Sequence, residues 1–437
     1  MPRKFSLPRG IRDITPEEMS KRVWVLNKII KIAQLYGFQM VEPATIEYLE
    51  TLEAKSGPDI KNEIYCFKDK AGRDLGLRFD LTVGMTRMVV NRYDLPEPIK
   101  LYSLGGMWRY DEPQYGRYRY FNQWDAEIYG SSSPLADAEV ISLGIDILMD
   151  VGLKDFEVKI NNRKFIDAFL KKLKLNEEKS LTVMRIIDKL QKKSKAEIGS
   201  QLIEEGLTNS LINKVMDLVS IKGKPEEALS QLPKEALESE ESIKACNELN
   251  EVFNFLNSLN KSEKCILDFS VVRGLDYYDG IVFEAYDKEG KEIGAIFGGG
   301  RFDKLCKLYG RDIPATGVAG GIERLMISIE KNDLFPDLSF TPEVFIAAAS
   351  NDVRNKALEL TASFRKAGLS CDFDLKNRSL KQQLEYANSM EIPVVVIIGV
   401  KDLLNNEVTI KEMKTRREFK VNLNKASEAL ISILRKG

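Results

Sequence analysis

Three stretches of this chain carry residues whose types and spacing could do chemistry. Between the apolar runs "CILDFSVV" and "GIVFEAY" sit Arg273, Asp276, Tyr277, Tyr278 and Asp279, in a turn that Gly274 and Gly280 already make possible. An arginine and two tyrosines exceed what a turn needs: they bring a fixed positive charge and two hydroxyls to the end of a buried strand. "GLRFDLT" places Asp80 and Thr82 on one side of an extended segment, an acceptor pair suited to an α-ammonium group. "MWRYDEPQYGRYRYFNQWDAEIYG" packs Arg109, Arg117 and Arg119 into eleven residues around a Pro-Gly loop. Guanidinium forks recognise phosphate oxygens, and Phe121 offers a ring on which a base could stack. Two further segments are glycine-rich. "IFGGGRFDKL" lacks the Lys-Ser/Thr ending of a P-loop and the dinucleotide-fold spacing, so its glycines fit close backbone approach better than a triphosphate cradle. "GVAGGIERL" puts Arg324 in the first turn of a helix behind small residues.

Composition narrows the chemistry. The chain has no histidine, which excludes imidazole bases, His-dependent triads and HExxH zinc sites. Carboxylates, Arg, Lys, Tyr, backbone dipoles or a bound cation must do the work instead. Five scattered cysteines without a CxxC pair suggest neither a zinc site nor a disulfide framework. With 437 residues, roughly three domains of about 150 are expected. No apolar run approaches the roughly 18 to 20 residues of a membrane span, and "MPRKFSLPRGIRD" lacks a signal-peptide core, so a cytoplasmic protein without a membrane partner is expected. At a net charge of −1, any nucleic-acid partner must be met by local basic surface.

The elements that hold these residues follow from capping and periodicity. Thr15 and Glu18 form a capping box for a first helix, with Pro16 at its first position, Gly37 as its stop and Val23, Leu26, Ile30 and Ala33 as its apolar stripe. "DLGLRFDLTVGMTRMVVNRY" reads as strand, turn and helix; residues 100–129 read as a long antiparallel pair, closed by a helix over 134–150. After a strand "FEVKI", residues up to about 262 turn helical in pattern. There, residues 163–195 carry 11 Lys/Arg against 4 Asp/Glu, and 204–251 carry 5 against 11. A solvated helical face accounts for such runs, or the basic half meets a phosphate backbone. Strands return at "CILDFSVV", "GIVFEAY" and "KEIGAIFGG", the last two joined by a tight turn "DKEG", and a helix follows over 320–331. "NDLFPDLSFTP" reads as a linker to a small domain of alternating strands and helices.

In order, "RFDLT", "WRYDEPQYGRYRYFNQWDAE", "RGLDYY", "GGGRFD" and "GVAGGIERL" resemble the histidyl-tRNA synthetases among the class II aminoacyl-tRNA synthetases. "PRGIRDITPEE" and "SLKQQLEYANSMEIPVVVIIG" resemble the same family, and "RGLDYY" separates it from other class II enzymes. The resemblance implies an α+β fold in three parts. These are an antiparallel-sheet catalytic domain over 1–332 (core 1–160 and 263–332), a mostly helical insertion over 161–262 touching the tRNA acceptor arm, and an α/β anticodon-binding domain over 341–437. It also implies histidine, ATP with Mg²⁺ and histidine tRNA as substrates, in a homodimer.

Carried over to matching positions, the resemblance implies that Asp80, Thr82 and Gln123 hold the α-amino group. Glu127 and Tyr278 read the imidazole, with Tyr277 in the same wall. Arg109 and Arg117 hold the ATP phosphates, Phe121 and Arg324 sandwich adenine, and Arg273 faces the α-phosphate. Asp111 and Glu112 depart from the family's Arg-x-Glu pattern, Phe302 replaces the tyrosine of "GGRYD", and Asn122 stands where a histidine is common. One alternative is a catalytically silent, synthetase-like regulator of histidine biosynthesis, a type that usually loses the catalytic arginines and the last domain, both kept here. A class II synthetase for another amino acid is opposed by "RGLDYY" and Glu127.

Overall fold

The described residues include a nine-stranded sheet, whose two longest strands each run ten residues with alternating side chains. Its order is Gln39–Met40, Ile99–Trp108, Tyr120–Tyr129, Ala315–Gly321, Phe297–Arg301, Ile281–Asp287, Phe156–Asn162, Cys265–Asp268 and Lys222–Gly223. The six strands from Ile99–Trp108 to Phe156–Asn162 are successively antiparallel; Gln39–Met40 and Cys265–Asp268 pair in parallel with their neighbours. The computed structural model describes residues 5–54, 62–113, 116, 118–191, 193–273 and 277–435. Among these, no helix is long and apolar enough to cross a membrane.

The strand Ala315–Gly321 has no counterpart in the sequence expectations, because its residues, "ATGVAGG", have low strand propensity. Its smallness is what the sheet requires. A Cβ on Gly317 would lie 2.8 Å from Glu127 Cγ, and one on Gly299, in the neighbouring strand, would lie 2.0 Å from the Gly317 carbonyl oxygen. The glycines of "IFGGGR" therefore serve close backbone approach, as their lack of a phosphate-loop pattern suggested. The expected tight "DKEG" hairpin is instead a longer connection through the 3₁₀ turn Lys291–Ile293, since strand pairing begins at Ala285 with Phe297.

Alternation divides the strand Tyr120–Tyr129 between two cores. Trp124, Ala126 and Ile128 enter the large core beneath the helices Pro134–Asp150 and Ile322–Lys331, while Tyr129 enters a second core with Met85, Tyr277, Tyr278, Val282 and Phe302. The first helix, Pro16–Leu35, is capped by Thr15, whose hydroxyl accepts the Glu18 N–H at 3.2 Å. The reciprocal half of the expected capping box gives way to an ion pair of Glu18 with Arg12. The apolar stripe is also shifted: Val23 is exposed, and the buried residues are Arg22, Val25, Ile29, Ile32 and Ala33. Arg22 can turn inward because the buried Glu323 carboxylate meets it at 3.0 Å, a pairing that hydrophobic periodicity could not reveal.

Residues 163–258 are mostly helical apart from the strand Lys222–Gly223, and five of the helices are capped by the side chains of Asn162, Asn176, Ser194, Thr208 and Ser239. Val183, Ile198, Leu249 and Leu256 belong to the same buried cluster as Trp124 and Phe156, so this stretch shares the core of the sheet. Its charge asymmetry is partly internal: Lys164 pairs with Glu248 at 3.1 Å and Lys172 with Glu238 at 2.6 Å.

The chain divides into two compact units, Met1–Pro336 and Asp337–Gly437. The second has a five-stranded sheet in the order Cys371–Phe373, Val344–Ala348, Val394–Ile398, Glu407–Glu412 and Glu418–Asn422. Its first three strands are parallel and the last two antiparallel, with an apolar core of its own.

Candidate active site

The strand Tyr120–Tyr129 supplies the spine of the site. Gln123, Asp125, Glu127 and Tyr129 follow one another with period two along one face, and all four are buried. Gln123 Nε2 donates to Asp125 Oδ1 at 2.8 Å, and Thr82 Oγ1 donates to Asp125 Oδ2 at 3.4 Å. Asp125, absent from the sequence-derived set, thus stands between two members of it. The same alternation that yields Glu127 from Gln123 was the signal that could have found it.

Asp80 and Thr82 are not neighbours along an extended strand, as the period-two argument had it. The strand Asp74–Leu77 ends before them, and Thr82 opens the helix Thr82–Val90. Asp80 Oδ1 accepts the Val83 N–H at 3.0 Å at the start of that helix. The carboxylate nevertheless lies near Tyr277, whose phenol feels the charges of both Asp80 and Asp125. Burial first, and then Asp80, raise that phenol well above its ordinary value, so Tyr277 remains protonated.

Glu127 accepts a hydrogen bond from the Tyr129 hydroxyl through Oε2. Burial and the Glu127 charge raise the Tyr129 phenol far above its usual value and keep it a donor. Phe302 is buried edge-on to both Tyr129 and Tyr277, with ring centroids 6.1 and 6.2 Å away. The Phe302 ring fills the space between these two tyrosines and brings no hydroxyl of its own.

At the far wall, Tyr277 and Tyr278 stack with centroids 4.4 Å apart, and the Tyr277 hydroxyl donates to that of Tyr278 at 3.3 Å. Arg273 Nη2 donates to the same Tyr278 oxygen at 3.3 Å, while Nη1 meets Glu284 Oε1 at 3.2 Å. Burial opposes the Arg273 charge, but Tyr278 and Glu284 outweigh it and raise the guanidinium above its ordinary value. Asp279 takes another part: it accepts the backbone N–H groups of Asp303 and Lys304 and caps the helix Asp303–Leu308. Asp276 and Gly274 lie outside the described residues.

A cavity of about 130 Å³ opens beside Gln123, lined also by Arg109, Asp111, Tyr118, Phe121 and Arg324. The Arg109 guanidinium stands 5.0 Å from the Phe121 ring centroid and is fixed by the Phe79 carbonyl at 2.9 Å. Arg324 donates to the Ala295 carbonyl at 3.0 Å. Arg117 lies outside the described residues. Arg119 is structural: it packs over Tyr110 at 3.9 Å and donates to the carbonyls of Asp111 and Arg9. Glu112 is exposed and pairs with Arg9, and Asn122 donates its backbone N–H to Glu323. Among the described residues, no group of three or more acidic or cysteine side chains is placed to hold a metal ion.

Comparison with known proteins matches the chain to a family. Residues 10–325 match the family model described as Histidyl-tRNA synthetase, and residues 343–433 match one described as Anticodon binding domain. The chain is 39% identical over 430 residues to a protein named Histidine--tRNA ligase from Thermococcus kodakarensis, covering 98% of each chain. It is 40% identical over 415 residues to one of the same name from Pyrococcus abyssi, covering 94% of this chain and 95% of that one. Among solved structures, the histidyl-tRNA synthetase from Nostoc sp. PCC 7120 superposes with a TM-score of 0.83 at 27% identity, covering 98% of this chain and 99% of the other.

Proposed function

The chain belongs to the histidyl-tRNA synthetase family and has the activity of a histidine–tRNA ligase, and from that premise we propose which residues perform each step. The carboxylate of histidine attacks the α-phosphorus of ATP, forming an acyl–phosphate bond and releasing pyrophosphate. The 3′-terminal ribose hydroxyl of histidine tRNA then attacks the acyl carbon and releases AMP. With no histidine in the chain, a phosphate oxygen of the adenylate takes the hydroxyl proton.

The observation that carries the assignment is the buried row Gln123, Asp125, Glu127 set against Tyr277, Tyr278 and Arg273. Neutral imidazole presents one donor and one acceptor. Glu127, oriented by Tyr129, accepts the imidazole N–H. The Tyr278 oxygen already receives two donors, which supports its own proton being given to the other ring nitrogen. An isosteric apolar side chain would leave both groups unpaired, and that is the source of selectivity. Asp80, Thr82 and Gln123 hold the α-ammonium group. Arg273 meets the α-phosphate as it gains negative charge.

Arg109 and Arg117 bind the ATP phosphates, and Phe121 with Arg324 encloses the adenine. Mg²⁺ arrives on the ATP phosphates as part of that substrate. Residues 341–437 bind the anticodon, residues 161–262 approach the acceptor arm, and the chain works as a cytoplasmic homodimer. A silent regulator is disfavoured by relatives named as ligases across nearly the whole chain.

Pyrophosphate exchange with each of the twenty amino acids tests the assignment. Histidine alone should support exchange; equal exchange with another amino acid, or none with histidine, overturns it. A chain ending near Phe340 should keep exchange and lose most tRNA charging, because much of the RNA contact leaves with the second unit. Undiminished charging by a folded, dimeric truncation removes the anticodon role.

A further inference from the structure

Arg273 is held in a costly arrangement. Its backbone adopts φ +51°, a left-handed conformation that non-glycine residues rarely enter. Its guanidinium passes so close to the strand Phe297–Arg301 that a Cβ on Gly298 would lie 2.0 Å from Nη1. Such strain persists only where surrounding groups fix the residue.

Those groups converge on Glu284, in the adjoining strand Ile281–Asp287. Glu284 Oε1 meets Arg273 Nη1 at 3.2 Å, and Glu284 Oε2 accepts the Tyr286 hydroxyl. Burial and the Glu284 charge keep that phenol protonated, hence a donor. Tyr286 is in turn covered by Lys159, whose ammonium stands 5.0 Å from the ring centroid and pairs with Asp268 at 3.2 Å. Asp188, from the helical stretch 163–258, acts electrostatically on both Arg273 and Tyr286. The carboxylate thus faces the guanidinium on one side and a phenol locked by its own neighbours on the other.

We propose that Glu284, oriented by Tyr286, is a positioning residue for the adenylation step: it aims the Arg273 fork while Gly298 leaves the channel through which that fork reaches. The proposal rests on the α-phosphate role of Arg273. A fork fixed before substrate arrives needs no reorganisation as charge develops on phosphorus, so Glu284 acts on turnover and leaves ground-state binding nearly unchanged.

The test is a double-mutant cycle in the full-length protein, read by single-turnover adenylate formation and by KM for histidine and ATP. Glu284→Gln should slow adenylate formation about 10- to 100-fold, the scale for losing a group that orients a reacting one, with both KM values within about threefold. In an Arg273→Ala background, itself slowed at least about 10²-fold, the same substitution should cost less than about threefold. Tyr286→Phe should give a smaller loss, about 3- to 10-fold, with the same dependence on Arg273.

A Glu284→Gln enzyme at wild-type speed, or one whose loss persists undiminished without Arg273, overturns the proposal. If Glu284→Gln does not fold, the Tyr286→Phe cycle decides: an Arg273-dependent loss supports it, and an unchanged rate or an Arg273-independent loss overturns it. Wild-type turnover in Arg273→Ala alone overturns the phosphate role beneath it, an outcome distinct from failure of Glu284.

Discussion

The two ends of the site are built on different principles. At the end proposed for histidine, Gln123, Asp125, Glu127, Tyr277 and Tyr278 are all buried, with Gln123 bonded to Asp125, Glu127 to Tyr129, and Tyr277 to Tyr278. At the end proposed for the nucleotide, Arg109, Phe121 and Arg324 are only half-buried around a small cavity. The contrast matches what each proposed ligand would demand. Phosphates are recognised by charge, which tolerates displacement and solvent; an imidazole is told from its isosteres only by polar groups that cannot move to other partners. Gln123 belongs to both ends, bonded to Asp125 on one side and lining the cavity on the other.

This comparison can be broken by substitutions whose effects should fall in a set order. Glu127→Ala should be the most severe, lowering kcat/KM for histidine in pyrophosphate exchange on the order of 10³-fold, because a buried charged acceptor is removed and Tyr129 is left with Thr86 as its hydrogen-bond partner. If the loss appeared in KM for ATP alone, Glu127 would belong to the wrong end.

Asp125→Asn keeps the shape and removes the charge between Thr82 and Gln123. KM for histidine should rise about 10-fold while KM for ATP stays within about twofold. Equal changes in both constants would mean that Asp125 supports the sheet without regard to the ligand. Phe121→Ala should be mildest, raising KM for ATP about 3- to 10-fold through loss of the ring beside Arg109, with Phe121→Tyr close to wild type. A shift in KM for histidine exceeding that for ATP would erase the distinction between the two ends.

Much of this was legible from residues alone, because local chemistry wrote it. Thr15 with Pro16 starts a helix by satisfying orphan amide groups, and alternation in "FNQWDAEIYG" carries Gln123 and Glu127 to one face whatever the rest of the chain does. Ser133 with Pro134 likewise opens the helix at the expected residue. The groups in "RGLDYY" stood out because no turn needs them, and Arg273, Tyr277 and Tyr278 do meet through hydrogen bonds. Tertiary structure decided what depends on a partner distant in sequence. Val23 is exposed and Arg22 buried because Glu323, some three hundred residues on, pairs with Arg22. "ATGVAGG" becomes a central strand because its neighbours need room for Glu127 and for backbone, which no propensity encodes. Asp125 and Glu284 acquire meaning only once Thr82, Gln123, Arg273 and Tyr286 arrive beside them. Sequence periodicity fixes which face a side chain takes, while the charge across from it is supplied by folding.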